Sequence, residues 1–269
     1  MQLGISTYSF PWGIGISNFT PPQPLTPHKL LQYAAEKDIR FVQFGDNYPL
    51  HMLSDDKLRE LRSQADKLNV SIQVGARKLT VENILKYIPI AVGMQTDFIR
   101  VVIDDEDYHP SENTIIDIIN QLVPHLQSAN LILAIENHDR FSAFSLRDII
   151  ESTSRRQVAV CLDTANSLGA GEGMGEILSV LAPYTVNLHI KDFVVKRVNH
   201  KMGFRISGCV AGSGLLDIPT LMKEVGKHGR CYSAILELWS DPESTMEETI
   251  EKERESVGKS IEYLKTIIS

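Results

Sequence analysis

Short apolar runs recur along the chain, and over most of its length they start about 30 residues apart. They lack the strict alternation of a half-exposed sheet, which favours parallel strands that are buried on both faces. The predicted strands cover residues 3–7, 41–44, 71–74, 98–103, 131–135, 158–162, 186–190 and 233–238.

The segments between these runs have helical periodicity. In residues 58–68, leucine and alanine recur at every third or fourth position behind Ser54, a predicted helix N-cap. Ser111 and Ser145 precede similar apolar stripes. Alternating strands and helices predict an α/β fold with a parallel sheet, and eight such units predict a closed (β/α)8 TIM barrel that forms one domain over residues 1–269. An open, doubly wound sheet is the alternative.

The last four predicted strands each end at or next to a residue that can bind a metal ion. The carboxyl ends of parallel strands open into one crevice, so these side chains are expected to converge. Carboxylates with one imidazole suit a hard or borderline cation, and we expect Mn2+, with Mg2+, Co2+ or Zn2+ as alternatives. Charged groups are rarely buried without partners, which favours one shared site over four unrelated residues. The predicted ligands are Glu136, Asp163, His189 and Glu237.

The composition narrows the class of protein. The chain carries a net charge of −7, and its pI is near 5.6, whereas a nucleic-acid-binding surface requires a concentrated basic face. The three cysteines form no C-x-x-C pair, which indicates free thiols in a reducing compartment. The N-terminus has no signal-peptide pattern, and no apolar segment approaches the ~20 residues needed to span a bilayer. We therefore expect a soluble cytoplasmic protein that binds neither nucleic acid nor a membrane.

The strand ends resemble those of the xylose-isomerase-like TIM barrel family, which includes sugar isomerases, ketose 3-epimerases and apurinic-site endonucleases. The resemblance covers the whole chain and is strongest in residues 134–138 (AIENH), 162–166 (LDTAN), 188–192 (LHIKD) and 235–237 (ILE).

In the sugar phosphate isomerase and epimerase branch of that family, the residues that match the four predicted ligands bind one divalent metal ion. The resemblance further implies that Glu136 and Glu237 are the catalytic acid and base, acting on opposite faces of the substrate. It implies a small sugar or sugar acid as substrate, and it is compatible with a homo-oligomer.

Two positions depart from the family pattern. Many members have a glutamate at the end of the second strand, where this chain has Gln43. Many have a histidine three positions after the aspartate of strand six, where this chain has Asn166. The first change removes a charge near the sugar, and the second is expected to reduce metal or substrate contacts. Both argue against a standard ketose epimerase.

Two long connections, residues 9–27 and the stretch between His189 and Glu237, are expected to shape the mouth of the site. The second contains several basic residues, and guanidinium groups bind carboxylates and phosphates well, which favours an acidic substrate. Its segment 194–204 also resembles a subgroup that includes 3-oxo-isoapionate decarboxylases. The predicted substrate-binding residues are Trp12, His138, Asn166, Lys191, Arg197, His200, Arg205 and Trp239.

The expected function is therefore a divalent-metal-dependent isomerase or epimerase that acts on a keto sugar or sugar acid through a metal-stabilised enediolate. The same enolate arises when carbon dioxide leaves a 3-oxo acid, so a decarboxylase is the alternative. An apurinic-site endonuclease would need further histidines at the ends of strands three and four, which end near Arg77 and Asp104. A non-catalytic sugar-binding barrel would be expected to lose charged ligands that are costly to bury.

Overall fold

Eight parallel strands form a closed barrel in the computed structural model, which describes residues 1–16 and 19–268. The barrel strands are β1 (Gln2–Ser6), β2 (Phe41–Phe44), β3 (Ser71–Arg77), β4 (Phe98–Val102), β5 (Ile132–Glu136), β6 (Val158–Asp163), β7 (Thr185–Ile190) and β10 (Ser233–Leu236). Around the barrel the order is β1, β10, β7, β6, β5, β4, β3, β2, so successive barrel strands are neighbours in space, and β10 closes the ring by pairing with β1. The predicted (β/α)8 barrel is confirmed.

Helices cover the outside of the barrel and bury their apolar stripes against the strands. Ser54 and Ser111 cap the helices that begin at Asp55 and Glu112, and each side chain accepts the backbone N–H three residues further along the chain. Ser145 was expected to precede its helix but lies inside the helix that begins at Ala143. Ser142 is the N-cap of that helix, because its backbone is extended and its hydroxyl accepts the N–H of Ser145. The helices are α1 (Pro11–Ile14), α2 (Pro27–Glu36), α3 (Asp55–Lys67), α4 (Val81–Met94), α5 (Glu112–Ala129), α6 (Ala143–Glu151), α7 (Met174–Leu181), α8 (Ile218–Gly226) and α9 (Met246–Lys265).

Some predicted boundaries and loops were wrong. The last barrel strand ends at Leu236, because the N–H of Leu238 turns away from the ladder to the carbonyl of Tyr8. The long connection after β7 contains an antiparallel hairpin, β8 (Phe193–Arg197) and β9 (Phe204–Gly208), where only a loop was expected. In the other long connection, residues 17 and 18 lie outside the described part of the chain.

A polar layer crosses the barrel interior below the carboxyl ends of the strands. Gln43 donates to Asn187 and Gln73, while Asn187 and Gln73 both donate to Ser233. All four side chains are buried, and their hydrogen bonds satisfy most of the donors that burial would otherwise leave unpaired. In the described part of the chain, no helix combines the length and the apolar character that a membrane crossing requires.

Candidate metal centre and its surroundings

The four predicted metal ligands converge at the carboxyl end of the barrel. Glu136 and Asp163 are the last residues of β5 and β6, His189 lies in β7, and Glu237 directly follows β10. Parallel register sets Asp163 beside His189 and places Ile235 of β10 on the other side of that histidine. All four side chains are at most 2% exposed, so their charges and polar atoms must be satisfied within the site.

The imidazole of His189 points its Nδ1 atom into a ring of three carboxylates. Nδ1 lies 3.5 Å from Glu136 Oε2, 3.6 Å from Asp163 Oδ2 and 3.5 Å from Glu237 Oε1. Within the described residues, His189 Nδ1, Asp163 Oδ2 and Glu237 Oε2 are buried without a hydrogen bond. Unpaired buried donors and acceptors are rare, and this set of one imidazole nitrogen and several carboxylate oxygens fits a divalent cation.

Hydrogen bonds to the other carboxylate oxygens hold the three acidic side chains in place. Ser6 donates to Glu237 Oε1 at 2.9 Å, and Asn166 donates to Glu136 Oε1 at 2.8 Å. Asp163 Oδ1 accepts the backbone N–H groups of Ala165 and Asn166. Each carboxylate is therefore oriented by the protein itself, as a preformed metal site requires.

The ammonium group of Lys191 lies between two of the predicted ligands, 2.7 Å from Asp163 Oδ2 and 3.0 Å from Glu237 Oε2. These ion pairs offset part of the negative charge of both carboxylates, and each oxygen has a second lone pair with which it can bind a metal ion. Burial by itself would raise the pKa of Glu237, but the charges of His189 and Lys191 outweigh burial and lower that pKa. Lys191, predicted to bind substrate, thus lies in the centre of the cluster.

A second charged cluster adjoins the first, and sequence reasoning noted its Arg77 at a strand end but missed its Arg100. Arg100, in the middle of β4 and 3% exposed, donates to both Glu136 and Asp46. Asp46 also accepts from Arg77 at 2.6 Å and from the hydroxyl of Tyr8 at 3.0 Å. The available signal was an arginine in the apolar run of residues 98–103, since a buried charge in a strand requires a partner nearby.

Two further buried side chains touch the predicted ligands. Gln43 lies inside the barrel, and its Oε1 is 2.7 Å from His189 Nε2, so it supports a ligand instead of facing the sugar as expected. The thiol of Cys161 is also close enough to Glu136 and His189 to be a metal ligand. Burial, followed by the charge of Glu136, raises the pKa of Cys161 well above its ordinary value, and the thiol donates to Asn187.

A cavity of about 380 Å³ opens beside Lys191 and Asn166. Four of the eight predicted substrate-binding residues line it, together with Ile206 of the hairpin; these four are His138, Asn166, Lys191 and Trp239. A larger cavity of about 620 Å³ lies between α3 and α4 and is lined by residues such as Leu58 and Met94, but by none of the predicted ligands or substrate-binding residues. The smaller cavity is the one that reaches the charged cluster.

The other four predicted substrate-binding residues are not brought to the cluster. Trp12 donates its indole N–H to the carbonyl of Ser240, which places it near the rim. Arg197 and His200 are exposed at the hairpin, where Arg197 donates to the carbonyl of Lys201. Arg205, also exposed, pairs with Asp241 at 2.6 Å.

Comparison with known proteins identifies the family of this chain. A family model described as xylose isomerase-like TIM barrel matches residues 31–267. The chain belongs to this family. A 3-oxo-isoapionate decarboxylase from Pectobacterium atrosepticum is 28% identical over 266 residues, which are 99% of this chain and 96% of that protein.

Solved structures of other barrels resemble the fold. The D-psicose 3-epimerase from Clostridium cellulolyticum H10 with D-tagatose has a TM-score of 0.74 at 13% identity and covers 100% of both chains. A xylose isomerase-like barrel from Mycobacterium smegmatis in complex with magnesium has a TM-score of 0.71 at 13% identity, covering 98% of this chain and 97% of that one. At such low identities, the likeness bears on the fold alone.

Proposed function

We propose that this xylose isomerase-like barrel is a divalent-metal-dependent enzyme that removes carbon dioxide from a 3-oxo sugar acid. The observation that carries the proposal is the balance of charge at the barrel end. The cluster has four carboxylates and three cations, so a divalent ion bound together with a neutral His189 would leave the centre with one net positive charge. The carboxylates counted are Asp46, Glu136, Asp163 and Glu237, and the cations are Arg77, Arg100 and Lys191.

An uncompensated charge is costly in a protein interior, so a substrate with one negative charge completes the balance. A sugar acid carries that charge, whereas a neutral keto sugar does not. The cavity beside Lys191 gives such a substrate a route to the cluster. These features favour an acidic substrate without any contribution from the exposed hairpin arginines.

Glu136, Asp163, His189 and Glu237 would hold the metal ion, which when bound would polarise the 3-oxo group and stabilise negative charge on its oxygen. Lys191 would orient the substrate carboxylate before it leaves. The bond between C1 and C2 breaks, carbon dioxide departs, and the electron pair forms the enolate across C2 and C3. Lys191, whose ammonium group lies between Asp163 and Glu237, would then give a proton to C2 and regain one from solvent, and the product is a ketone one carbon shorter.

The surroundings of Glu136 support this reaction over a two-base mechanism. Both of its carboxylate oxygens already accept hydrogen bonds, one from Arg100 and one from Asn166. Epimerisation through two glutamates needs a free carboxylate on each face of the substrate, whereas decarboxylation needs one proton donor. The 28% identity to a 3-oxo-isoapionate decarboxylase along nearly the whole chain supports the same conclusion.

Isomerisation or epimerisation of a keto sugar or sugar acid is the second candidate. Glu136 and Glu237 each lie 3.5 Å from the same nitrogen of His189, so two carboxylates flank one point as a two-base reaction requires. The likeness in fold to D-psicose 3-epimerases accords with this candidate.

The two candidates differ in the fate of the carboxyl carbon. We would incubate the Mn2+-loaded protein in deuterated water with 3-oxo sugar acids that carry carbon-13 in the carboxyl group, and with unlabelled keto sugars. Carbon NMR is expected to detect labelled bicarbonate, together with deuterium at the adjacent carbon of the product. If a substrate keeps every carbon and gains deuterium beside its carbonyl, the protein is an isomerase or epimerase, and the proposed decarboxylation is wrong.

A further inference from the structure

The buried side chain of Gln43 forms the only hydrogen bond to Nε2 of His189 among the described residues. Its Oε1 lies 2.7 Å from that nitrogen. We infer that Gln43 is a positioning residue that keeps the proton of His189 on Nε2 and thereby leaves Nδ1 free to bind the metal ion. This inference rests on the metal centre of the proposed function and adds a role for a side chain that binds neither metal nor substrate.

The orientation of the Gln43 amide follows from its other contacts. Its Nε2 donates to Asn187 Oδ1 at 3.0 Å and to Gln73 Oε1 at 3.2 Å, and Asn187 Oδ1 also accepts from the thiol of Cys161 at 3.2 Å. The amide nitrogens of Asn187 and Gln73 are directed to Ser233 Oγ, at 2.9 and 2.8 Å. If Gln43 turned over, its NH2 group would face the histidine and two oxygens would face each other on the opposite side.

The amide therefore presents an acceptor to the imidazole, and only a nitrogen that carries a proton can donate to it. A neutral imidazole has one such nitrogen, so a proton on Nε2 places the lone pair on Nδ1, which points at the three carboxylates. The hydrogen bond also fixes the ring about its Cβ–Cγ bond, which lowers the cost of ordering the ligand when the ion binds.

An amide meets a further requirement of this centre, because it accepts a hydrogen bond without adding a charge. A carboxylate at the same position would also accept the proton of Nε2, but its negative charge would cancel the net positive charge that favours an anionic substrate. Gln43 thus combines ligand orientation with the charge balance on which the proposed substrate class depends.

Metal affinity provides the first test. In Gln43→Met the side chain keeps its approximate length and loses the acceptor, and we expect the dissociation constant for Zn2+ or Mn2+ to rise about 10- to 100-fold. Gln157→Met is the matched control, because Gln157 is also a buried glutamine, but its side chain accepts from Ser154 and has no hydrogen bond to Gln43 or His189. Its metal affinity is expected to equal that of the wild type, with folding of both variants checked by circular dichroism. Equal metal affinity in Gln43→Met and the wild type would overturn the inference.

The wild-type protein provides a second test that needs no folded variant at position 43. Nitrogen-15 NMR of the histidine rings, in protein loaded with diamagnetic Zn2+, reports which ring nitrogen carries the proton and which binds metal. The signals of His189 are assigned from their loss in His189→Asn. We expect the proton on Nε2 and the metal on Nδ1, and the reverse arrangement would overturn the inference. If the wild type binds no divalent ion, both this inference and the proposed metal centre are wrong. If it binds the ion through Nε2 of His189, only this inference is wrong.

Discussion

The charged cluster at the carboxyl ends of the barrel strands and the β8–β9 hairpin both carry several charged side chains. Those of the cluster are buried, whereas those of the hairpin are exposed to solvent. In the cluster, Glu136, Asp163 and Glu237 are almost completely buried and their partners are fixed by the barrel. On the hairpin, Arg205 pairs with Asp241, and the two side chains are 64% and 49% exposed. Water screens the second pair and competes for its hydrogen bonds, so it contributes little, whereas loss of one partner in the cluster leaves a buried charge uncompensated.

Arg100→Met should produce the largest change. The substitution leaves Asp46 and Glu136 without a cation they both contact, and we expect the free energy of unfolding of the metal-free protein to fall by about 3–5 kcal/mol. Urea denaturation measures the effect. In the control Arg59→Met, which breaks an exposed pair with Asp56, the loss should stay below about 1 kcal/mol. Equal losses in both variants would mean that burial does not distinguish the two regions.

Glu237→Gln and Glu136→Gln test the cluster through activity. Each replaces a charged metal ligand by an amide, and we expect turnover to fall by roughly 10²- to 10³-fold, because the stabilisation of negative charge in the transition state is lost. Asp163→Asn should mainly weaken metal binding. Steady-state kinetics at saturating Mn2+ would be compared with Glu82→Gln, an exposed glutamate on α4. Near-wild-type turnover in either glutamate variant would remove that residue from the site.

Glu253 extends the comparison to a buried carboxylate whose hydrogen bonds come from backbone. It lies on α9 and accepts the N–H groups of Trp12 and Gly13, yet burial raises its pKa from 4.5 to about 7. Between these two values the folded state binds the extra proton, so the contribution of Glu253 to stability falls as pH rises from about 4.5 to above 7.

The expected decline is on the order of 3 kcal/mol, measured as the difference in unfolding free energy between the wild type and Glu253→Gln across that pH range. Glu255→Gln, an exposed change on the same helix, should follow the wild type at every pH. If the curves for wild type and Glu253→Gln run parallel, Glu253 does not titrate in this range.

Arg205→Ala should produce the smallest change. The exposed pair with Asp241 is expected to contribute less than about 1 kcal/mol to stability, and turnover should equal that of the wild type. A large loss of kcat/KM in this variant would mean that the hairpin contacts the substrate, in agreement with the expectation from the sequence and against the division between the two regions.

The parts that could be predicted from the sequence are those that strand geometry determines. Apolar runs and helical stripes predicted the barrel, and the position of Glu136, Asp163, His189 and Glu237 at strand ends predicted that they converge, because parallel strands open on one side. The contacts of Arg197 and Arg205 could not be predicted, since a loop may fold back on itself into a hairpin with its own partners. Gln43 was assigned to the sugar because its sequence position does not reveal that its side chain points into the barrel.

An anomalous difference map at the manganese absorption edge, from crystals grown with Mn2+, tests the metal centre most directly. The account predicts one peak per chain, bonded to Glu136, Asp163, Glu237 and the Nδ1 atom of His189. It also predicts that Gln43 remains hydrogen-bonded to Nε2 of that histidine. The account would be contradicted if crystals that bind Mn2+ elsewhere showed no peak at this position and the ammonium group of Lys191 still lay between Asp163 and Glu237.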